Sequence, residues 1–252
     1  MEIKIVYEDQ NFIVINKPTG LLVHGIKNVD RHNSADSEAT LADWLVKIYP
    51  ELKNIGDEPV VRPGIVHRLD KDTSGVMVIA RTPISFEYLK KLFQNHQVVK
   101  TYLALVFGDV TPVVGSIDKP IGLQNGTVRH TVWPKSAKMI KPAKTDYKVL
   151  KRLSFNNQIF SLLELKPLTG RTHQIRVHLH SIGHPIVGDK IYGASKIRSQ
   201  LAHALNLARI FLHAESIEFV DLSGKRLKFS VGLPVDLEQV LSSASVVLAD
   251  RH

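Results

Sequence analysis

The sequence IVHRLDKDTSGVMVIA, residues 65–80, sets the fold class of this chain. Two apolar and largely β-branched runs, residues 65–69 and 76–80, flank a polar segment at residues 70–75 that is rich in turn-forming residues. This pattern predicts two strands joined by a loop. Because loops held by a rigid scaffold are where proteins present reactive side chains, residues 70–75 are the first candidate for a functional site.

Similar strand-like runs occur on both sides of this segment. Turn residues separate neighbouring runs, which is typical of hairpins. The predicted strands cover residues 2–7, 11–16, 101–107, 146–153, 159–165, 211–220 and 227–231.

Helix signals are fewer, and they fall between the predicted hairpins. Thr40 and Thr82 are predicted N-caps of two helices. A third helix is expected to begin at Thr172 and to end at Gly183. Strands outnumber helices and do not alternate strictly with them, which favours an α+β fold with a mixed, mostly antiparallel central sheet flanked by helices. The polar residues 25–39 are predicted to form a loop or lid.

The composition excludes several classes of protein. Of 252 residues, 44% are hydrophobic and 23% are charged, as in ordinary globular proteins. No apolar run approaches the ~20 residues that a membrane helix requires, and the first residues do not resemble a signal peptide, so a cytoplasmic protein without membrane contact is expected. Cysteine is absent, which excludes disulfides, cysteine zinc ligands and thiol nucleophiles.

The charge balance indicates a polyanionic partner. The chain has 33 Lys and Arg against 24 Asp and Glu, a net charge of +9, and basic proteins of this kind commonly bind nucleic acid. A cluster of cations around the single acid Asp146 predicts an edge that faces phosphates, the alternative being an ordinary solvated face. The cluster consists of Lys135, Lys138, Lys141, Lys144, Lys148, Lys151 and Arg152.

Common catalytic signatures are missing from the sequence. It has no Walker A loop, no dinucleotide-binding glycine motif, no zinc-protease motif and no nucleophile elbow. HRLD at residues 67–70 resembles a kinase catalytic loop only superficially, because its Asp is displaced by one position. The histidines at positions 173, 178, 180 and 184 share no helical face with a carboxylate, so no metal site is predicted.

Two arginines single out Asp70 as a candidate catalytic residue. Arg68 precedes Asp70 by two residues, so on a strand both side chains would lie on the same face. Arg171 lies at the start of the third predicted helix, where the helix dipole disfavours a cation by ~0.3–1 kcal/mol. A carboxylate partner such as Asp70 would compensate for this, and an arginine partner keeps a carboxylate ionised and oriented. The alternative is that residues 70–75 form an ordinary turn.

Five motifs then occur along the chain in a characteristic order. They are NKPTGL (16–21), HRLD (67–70) with TSG (73–75), KTYLA (100–104), LTGRTHQIR (168–176) and GDKIYG (188–193). Together they resemble the motifs of the RluA family of pseudouridine synthases, over residues 5–235.

The resemblance implies a mixed, mostly antiparallel sheet with a central RNA-binding cleft, and isomerisation of uridine to pseudouridine without cofactor or metal. Asp70 matches the essential aspartate of the family, and Tyr102 matches the tyrosine that packs against the target base. Arg171 matches the arginine that pairs with the aspartate. Arg68 matches the arginine that can fill the space left by the extruded base. The aspartate could act as a nucleophile or remove a ribose proton.

The resemblance also implies a domain organisation and a target. We expect a catalytic domain over residues 1–235, followed by a C-terminal helix or frayed tail over residues 236–252. The N-terminal S4 RNA-binding domain of many ribosomal members is not expected, because the sequence begins at the first catalytic strand. The region around Lys141 favours large-subunit ribosomal RNA as substrate, with transfer RNA as the alternative, and a monomer is expected.

Two other classes of function remain as alternatives. A non-catalytic RNA-binding protein would need the basic surface but not Asp70 with its two arginines. A hydrolase could use Asp70 and Asp72 as a carboxylate pair, and its activity would then be expected to depend on a metal ion.

Overall fold

The computed structural model describes residues 2–25, 39–127, 129–133, 135 and 137–247. The chain forms two compact units, one made of Met1–Val99 with Ser216–Val231 and one made of Lys100–Glu215 with Gly232–His252. Most of the loop predicted at residues 25–39, and the last five residues of the chain, lie outside the described residues.

The described residues form thirteen strands and five α-helices. The strands are β1 (Lys4–Glu8), β2 (Phe12–Lys17), β3 (Ser74–Ala80), β4 (Val99–Phe107), β5 (Val114–Asp118), β6 (Ile121–Gln124), β7 (His130–Thr131), β8 (Ala137–Lys141), β9 (Lys144–Phe155), β10 (Gln158–Pro167), β11 (Leu212–Val220), β12 (Arg226–Ser230) and β13 (Ser245–Val246). The helices are α1 (Leu41–Ile48), α2 (Pro83–Gln94), α3 (Gln174–Ser181), α4 (Lys196–Ala204) and α5 (Val235–Ser243).

In the first unit, β2 lies between β1 and β3, and both pairs are antiparallel. Every residue of β3 is buried, and β2 is almost wholly buried, so these strands read as continuous apolar runs. The last residues of β11 pair with β12 as an antiparallel hairpin, as the sequence predicted.

The two predicted helix starts in this unit are confirmed. Thr40 caps α1 by accepting the N–H of Asp43, whose carboxylate accepts the N–H of Thr40 in return. Thr82 and Ser85 make the same reciprocal pair of bonds at the start of α2. Each cap satisfies two backbone donors that a helix start leaves without an intrahelical partner.

The strand predicted at residues 65–69 was wrong. Only Ile65 forms a bridge, to Ile79, and residues 66–69 have no strand structure. The backbone N–H of Val78 instead donates to Nε2 of His67 at 3.1 Å. Because a side chain takes the place of a backbone carbonyl at this point, the ladder does not continue along residues 66–69.

In the second unit, the strand order is β4-β10-β9-β13, and β5 also pairs with β9. The pairs β4–β10, β10–β9, β9–β13 and β5–β9 are all antiparallel. Its core includes Leu105, Leu163, Leu179 and Phe211, which are all almost completely buried. A separate three-stranded antiparallel sheet has the order β7-β6-β8. The predicted fold class is therefore confirmed: a mixed, mostly antiparallel sheet flanked by helices.

None of the helices in the described part of the chain is both long enough and apolar enough to cross a membrane.

Candidate active site

Asp70 lies in the first unit, on the loop that leads into β3. The residue is half-buried, between the buried Leu69 and the half-buried Lys71. The N–H of Thr73 donates to the carbonyl of Asp70 at 3.1 Å and closes a turn. Gly75, at the start of β3, has a φ of 125°, which glycine adopts far more readily than residues with a Cβ. The chain is thus bent sharply on the C-terminal side of Asp70.

A buried lysine holds this loop against the end of β2. Lys17 is fully buried, and its Nζ donates to the carbonyls of Pro18 (2.9 Å), Leu21 (2.9 Å) and Lys71 (3.1 Å). The N–H of Gly20 also donates to the Lys71 carbonyl, at 2.9 Å. Burial of an ammonium is tolerated when its donors are satisfied, as here. Lys17 therefore fixes the backbone immediately after Asp70.

Arg68 is exposed, and a histidine holds its guanidinium. Nη1 of Arg68 lies 3.1 Å from Nε2 of His24, and Nδ1 of His24 lies 2.9 Å from the carbonyl of Gly25. A guanidinium only donates and a carbonyl only accepts, so His24 is neutral with its proton on Nδ1. The expectation that Arg68 and Asp70 share one face of a strand was wrong, because residues 66–70 are not a strand. No sequence pattern pointed to His24.

His67 has a structural role in this segment. Its ring stacks on Phe93 of α2, with centroids 4.5 Å apart and planes inclined by 19°. Together with the bond from the Val78 N–H, this contact holds the chain three residues before Asp70, where the turn begins.

Tyr102 lies in the second unit, on β4 opposite Leu165 of β10. It is half-buried and packs against the hydrophobic core of that unit. The residue before it in β4, Thr101, is buried. The core therefore supports part of the Tyr102 ring, and the remainder is accessible to solvent.

Arg171 lies in the turn between β10 and α3, and the side chain of Gln174 organises this turn. Oε1 of Gln174 accepts the N–H of Arg171 (3.0 Å) and the hydroxyl of Thr169 (2.6 Å). Its Nε2 donates to the carbonyl of Lys144 (2.9 Å). Nε of Arg171 donates to the carbonyl of Pro142 at 3.0 Å. The backbone and the inner end of the Arg171 side chain are thus both held.

The predicted N-cap of α3 was wrong by one residue. The helix begins at Gln174, and the cap position is taken by His173 in a left-handed conformation, with φ 55°. Thr172 is exposed and does not cap the helix.

Lys100 supports the same turn from β4. Its Nζ donates to the carbonyl of Thr169 at 3.2 Å. Burial lowers the pKa of Lys100 to about 8, because the ammonium is desolvated. The sequence motif contained Lys100, but no role was predicted for it.

The histidines of the region between residues 173 and 184 do not converge. His178 is buried, with Nδ1 2.9 Å from the hydroxyl of Thr145 and Nε2 2.9 Å from the carbonyl of Lys119. Nδ1 of His173 lies 2.9 Å from the hydroxyl of Tyr192. Within residues that the structure describes, no group of three or more His, Asp or Glu is arranged to hold a metal ion.

Asp189 and Tyr192 shape the turn that follows α3. Asp189 accepts two bonds of 2.8 Å from the guanidinium of Arg176, and both side chains are buried. Oδ1 of Asp189 also accepts the N–H groups of Ile191 and Tyr192. The Arg176 guanidinium lies over the Tyr192 ring, 5.2 Å from its centroid. This buried ion pair braces the segment after α3.

The candidate residues are thus distributed over both units. The first unit holds Asp70 and Arg68, and the second holds Tyr102 and Arg171. Each of the two loops is fixed within its own unit by a buried polar side chain, Lys17 for Asp70 and Gln174 for Arg171.

Comparison with known proteins gives the class of this protein. The family model described as RNA pseudouridylate synthase matches residues 11–181, a span that contains Asp70, Tyr102 and Arg171. The chain belongs to this family, as its five motifs indicated.

Individual relatives agree with this assignment. A relative from Chloroflexus aurantiacus, named an uncharacterized RNA pseudouridine synthase, is 43% identical over 228 residues, which are 90% of this chain and 64% of that protein. Ribosomal large subunit pseudouridine synthase D of Nitrosomonas europaea is 38% identical over 246 residues, 96% of this chain and 65% of that protein. This chain therefore spans slightly less than two thirds of the length of both.

A solved structure supports the fold. Human RNA pseudouridylate synthase domain containing 1 is similar with a TM-score of 0.76 at 26% identity, and the match covers 100% of this chain and 91% of the human chain.

Proposed function

We propose that this protein is an RNA pseudouridine synthase that converts specific uridines to pseudouridine in the RNA of the large ribosomal subunit. The observation that carries the proposal is Asp70 on a loop that the buried Lys17 ties to the end of β2. The name of the Nitrosomonas europaea relative supports ribosomal RNA as the target. A ribosomal substrate implies a cytoplasmic location.

The reaction requires the target nucleotide to leave its helix. The bond between N1 of uracil and C1′ of the ribose must break, and C5 must then bond to C1′. These atoms are not accessible in a stacked helix, so the nucleotide is flipped out at a cost of a few kcal/mol. In this proposal the exposed Arg68 fills the gap that the base leaves, and the solvent-accessible part of Tyr102 packs against the flipped base.

Asp70 supplies the reactive carboxylate in this proposal. It either adds to the substrate as a nucleophile or removes a ribose proton. The reaction is balanced without a co-reactant: C5 loses a proton, N1 gains one, and the glycosidic bond moves from N1 to C5. Arg171 is the proposed partner that keeps Asp70 ionised and oriented, and its own turn is fixed by Gln174.

The test compares Asp70→Asn with Asp72→Asn. The substitutions lie two residues apart on one loop, and Asp72 is exposed. Each protein is incubated with total RNA from cells deleted for the gene, and pseudouridine is mapped at single-nucleotide resolution. We expect Asp70→Asn to lower the rate by at least ~10³-fold with RNA affinity retained, a loss of about 4 kcal/mol of transition-state stabilisation. Asp72→Asn should stay close to wild type.

The results separate the alternatives. Turnover by Asp70→Asn would remove Asp70 from the reaction, and equal loss in both variants would show that the reaction also requires Asp72. Metal-dependent hydrolysis of the RNA without pseudouridine formation would favour the carboxylate-pair hydrolase. Modification of transfer RNA alone would correct the target but not the chemistry. Wild-type protein that binds RNA without forming pseudouridine would point to the non-catalytic alternative.

A further inference from the structure

The three-stranded sheet of the second unit carries a cavity that the proposed reaction does not use. One face of this sheet is buried, where Ile121 and Val132 pack with Val177 of α3 and with Tyr192. The cavity has a volume of about 620 Å³ and lies around the turn that links β6 to β7. It is lined by Leu123, Gln124, Asn125, Thr127, Arg129 and Lys138 among others.

Every charged residue in the stretch of sequence around this cavity is a lysine or an arginine. No Asp or Glu occurs between Asp118 and Asp146, although this span contains six lysines and arginines. The lining of the cavity itself includes Arg129 and Lys138 and no acidic residue, which favours an anionic ligand. The six cations are Lys119, Arg129, Lys135, Lys138, Lys141 and Lys144.

Four of the polar side chains that line the cavity are available to a ligand. Backbone bonds hold the turn itself, from the N–H of Gln124 to the carbonyl of Arg129 (2.8 Å) and from the N–H of Thr127 to the carbonyl of Gln124 (3.2 Å). The side chains of Gln124, Asn125, Arg129 and Lys138 make no hydrogen bond or ion pair with one another or with any other residue that the structure describes. The hydroxyl of Thr127, in contrast, donates to the carbonyl of Gln124 and accepts the N–H of Arg129. The turn is therefore shaped without using these four side chains.

We propose that this cavity binds one nucleotide of the RNA substrate, other than the uridine that reacts; the proposal rests on the proposed function. Arg129 and Lys138 hold the phosphate, since two cations flank the cavity and no acid competes. The side chain of Leu123, which lies opposite Lys138 in the sheet, supplies an apolar surface for the base. Gln124 and Asn125 present amides, which can donate to and accept from a base edge. The volume lies within the range of small-ligand sites.

Three variants and one probe test the site. The probe is fluorescein-labelled decauridylate, titrated at four salt concentrations between 50 and 200 mM. Arg129→Gln/Lys138→Gln should weaken binding at least fivefold at 50 mM salt and reduce the slope of log K against log salt by about 0.7, the value for one lost phosphate contact on a single strand. Gln124→Ala/Asn125→Ala should weaken binding with an unchanged slope, because no charge is removed.

The control is Lys225→Gln/Lys228→Gln, which removes the same charge at two exposed positions of the hairpin of β11 and β12. It should leave binding within twofold of wild type. An unchanged slope in the Arg129/Lys138 variant overturns the site, and an amide variant that binds like wild type overturns its assignment to a nucleotide. Because binding is the readout, both results are independent of pseudouridine formation. Melting temperatures of all variants are measured to check that the substitutions leave the fold intact.

Discussion

Among single residues, Lys17 is predicted to contribute most to the stability of the Asp70 loop. Lys17→Met keeps the volume but removes the donor to the carbonyls of Pro18 and Leu21, while Lys71 keeps its bond from the N–H of Gly20. Two carbonyls then lose their partner, so unfolding should require about 2–4 kcal/mol less free energy. Urea denaturation measures this. The control is Lys47→Met, at an exposed position of α1, which should change the free energy of unfolding by less than about 0.5 kcal/mol. Equal effects of the two substitutions would contradict the role of Lys17.

His24 is predicted to act in the reaction only through Arg68. Removing the acceptor from the Arg68 guanidinium frees its orientation, so His24→Ala should lower kcat/KM by about 3–10-fold, equivalent to one hydrogen bond. A double-mutant cycle with Arg68→Ala checks this. If His24 acts by holding Arg68, its substitution has no further effect once Arg68 is gone. Additive effects would show an independent role, and His203→Ala on the exposed face of α4 is the neutral control.

At the scale of secondary structure, the sequence predicts correctly those elements that interactions between residues close in the chain stabilise. The capping pairs at Thr40 and Thr82 involve residues three positions apart, so the sequence contains the whole interaction. The hairpin of β11 and β12 is likewise local, because only residues 221–225 separate its two strands. These elements have the predicted type and nearly the predicted bounds.

The elements that differ from prediction are those held by distant partners. Gln174 fixes the start of α3 through the carbonyl of Lys144, thirty residues away, and no periodicity reveals such a bond. His67 replaces a strand carbonyl beside Val78, so an apolar run at residues 65–69 does not become a strand. The motifs identified the same segments, but not the buried Lys17 and Gln174 as the side chains that fix them.

Helix α3 is predicted to lose stability in acid through His178. The carbonyl of Lys119 requires a proton on Nε2, which leaves Nδ1 to accept the hydroxyl of Thr145. Burial lowers the pKa of His178, so the folded state keeps the ring neutral while the unfolded state takes up a proton below pH ~6.5. Stability from this group is therefore present above pH ~6.5 and is lost as the pH falls through the folded value.

His178→Gln isolates this effect because glutamine does not titrate and retains an N–H donor for the Lys119 carbonyl. At pH 8 the variant should be less stable than wild type by about 1–2 kcal/mol, the cost of imperfect hydrogen bonds. The gap between the two proteins should narrow steadily as the pH falls from 6.5 to 5, measured by urea unfolding. A constant gap over this range would show that His178 does not titrate differently in the two states.

For the molecule as a whole, the net charge of +9 predicts that salt acts on RNA binding far more than on folding. Phosphate contacts release counterions, so affinity falls as a power of the salt concentration. Four contacts on a single strand give a slope of about −2.8, or a loss of roughly 50-fold in affinity between 50 and 200 mM salt. The hydrophobic cores of both units respond little to this change, since ion pairs on the surface contribute only about 0–1 kcal/mol each. Titration of decauridylate and urea unfolding at the same four salt concentrations measure the two responses together. RNA affinity that does not change with salt would mean that the cations between β6 and β9 do not contact phosphates. If affinity and the free energy of unfolding fall together, the salt acts by destabilising the folded protein.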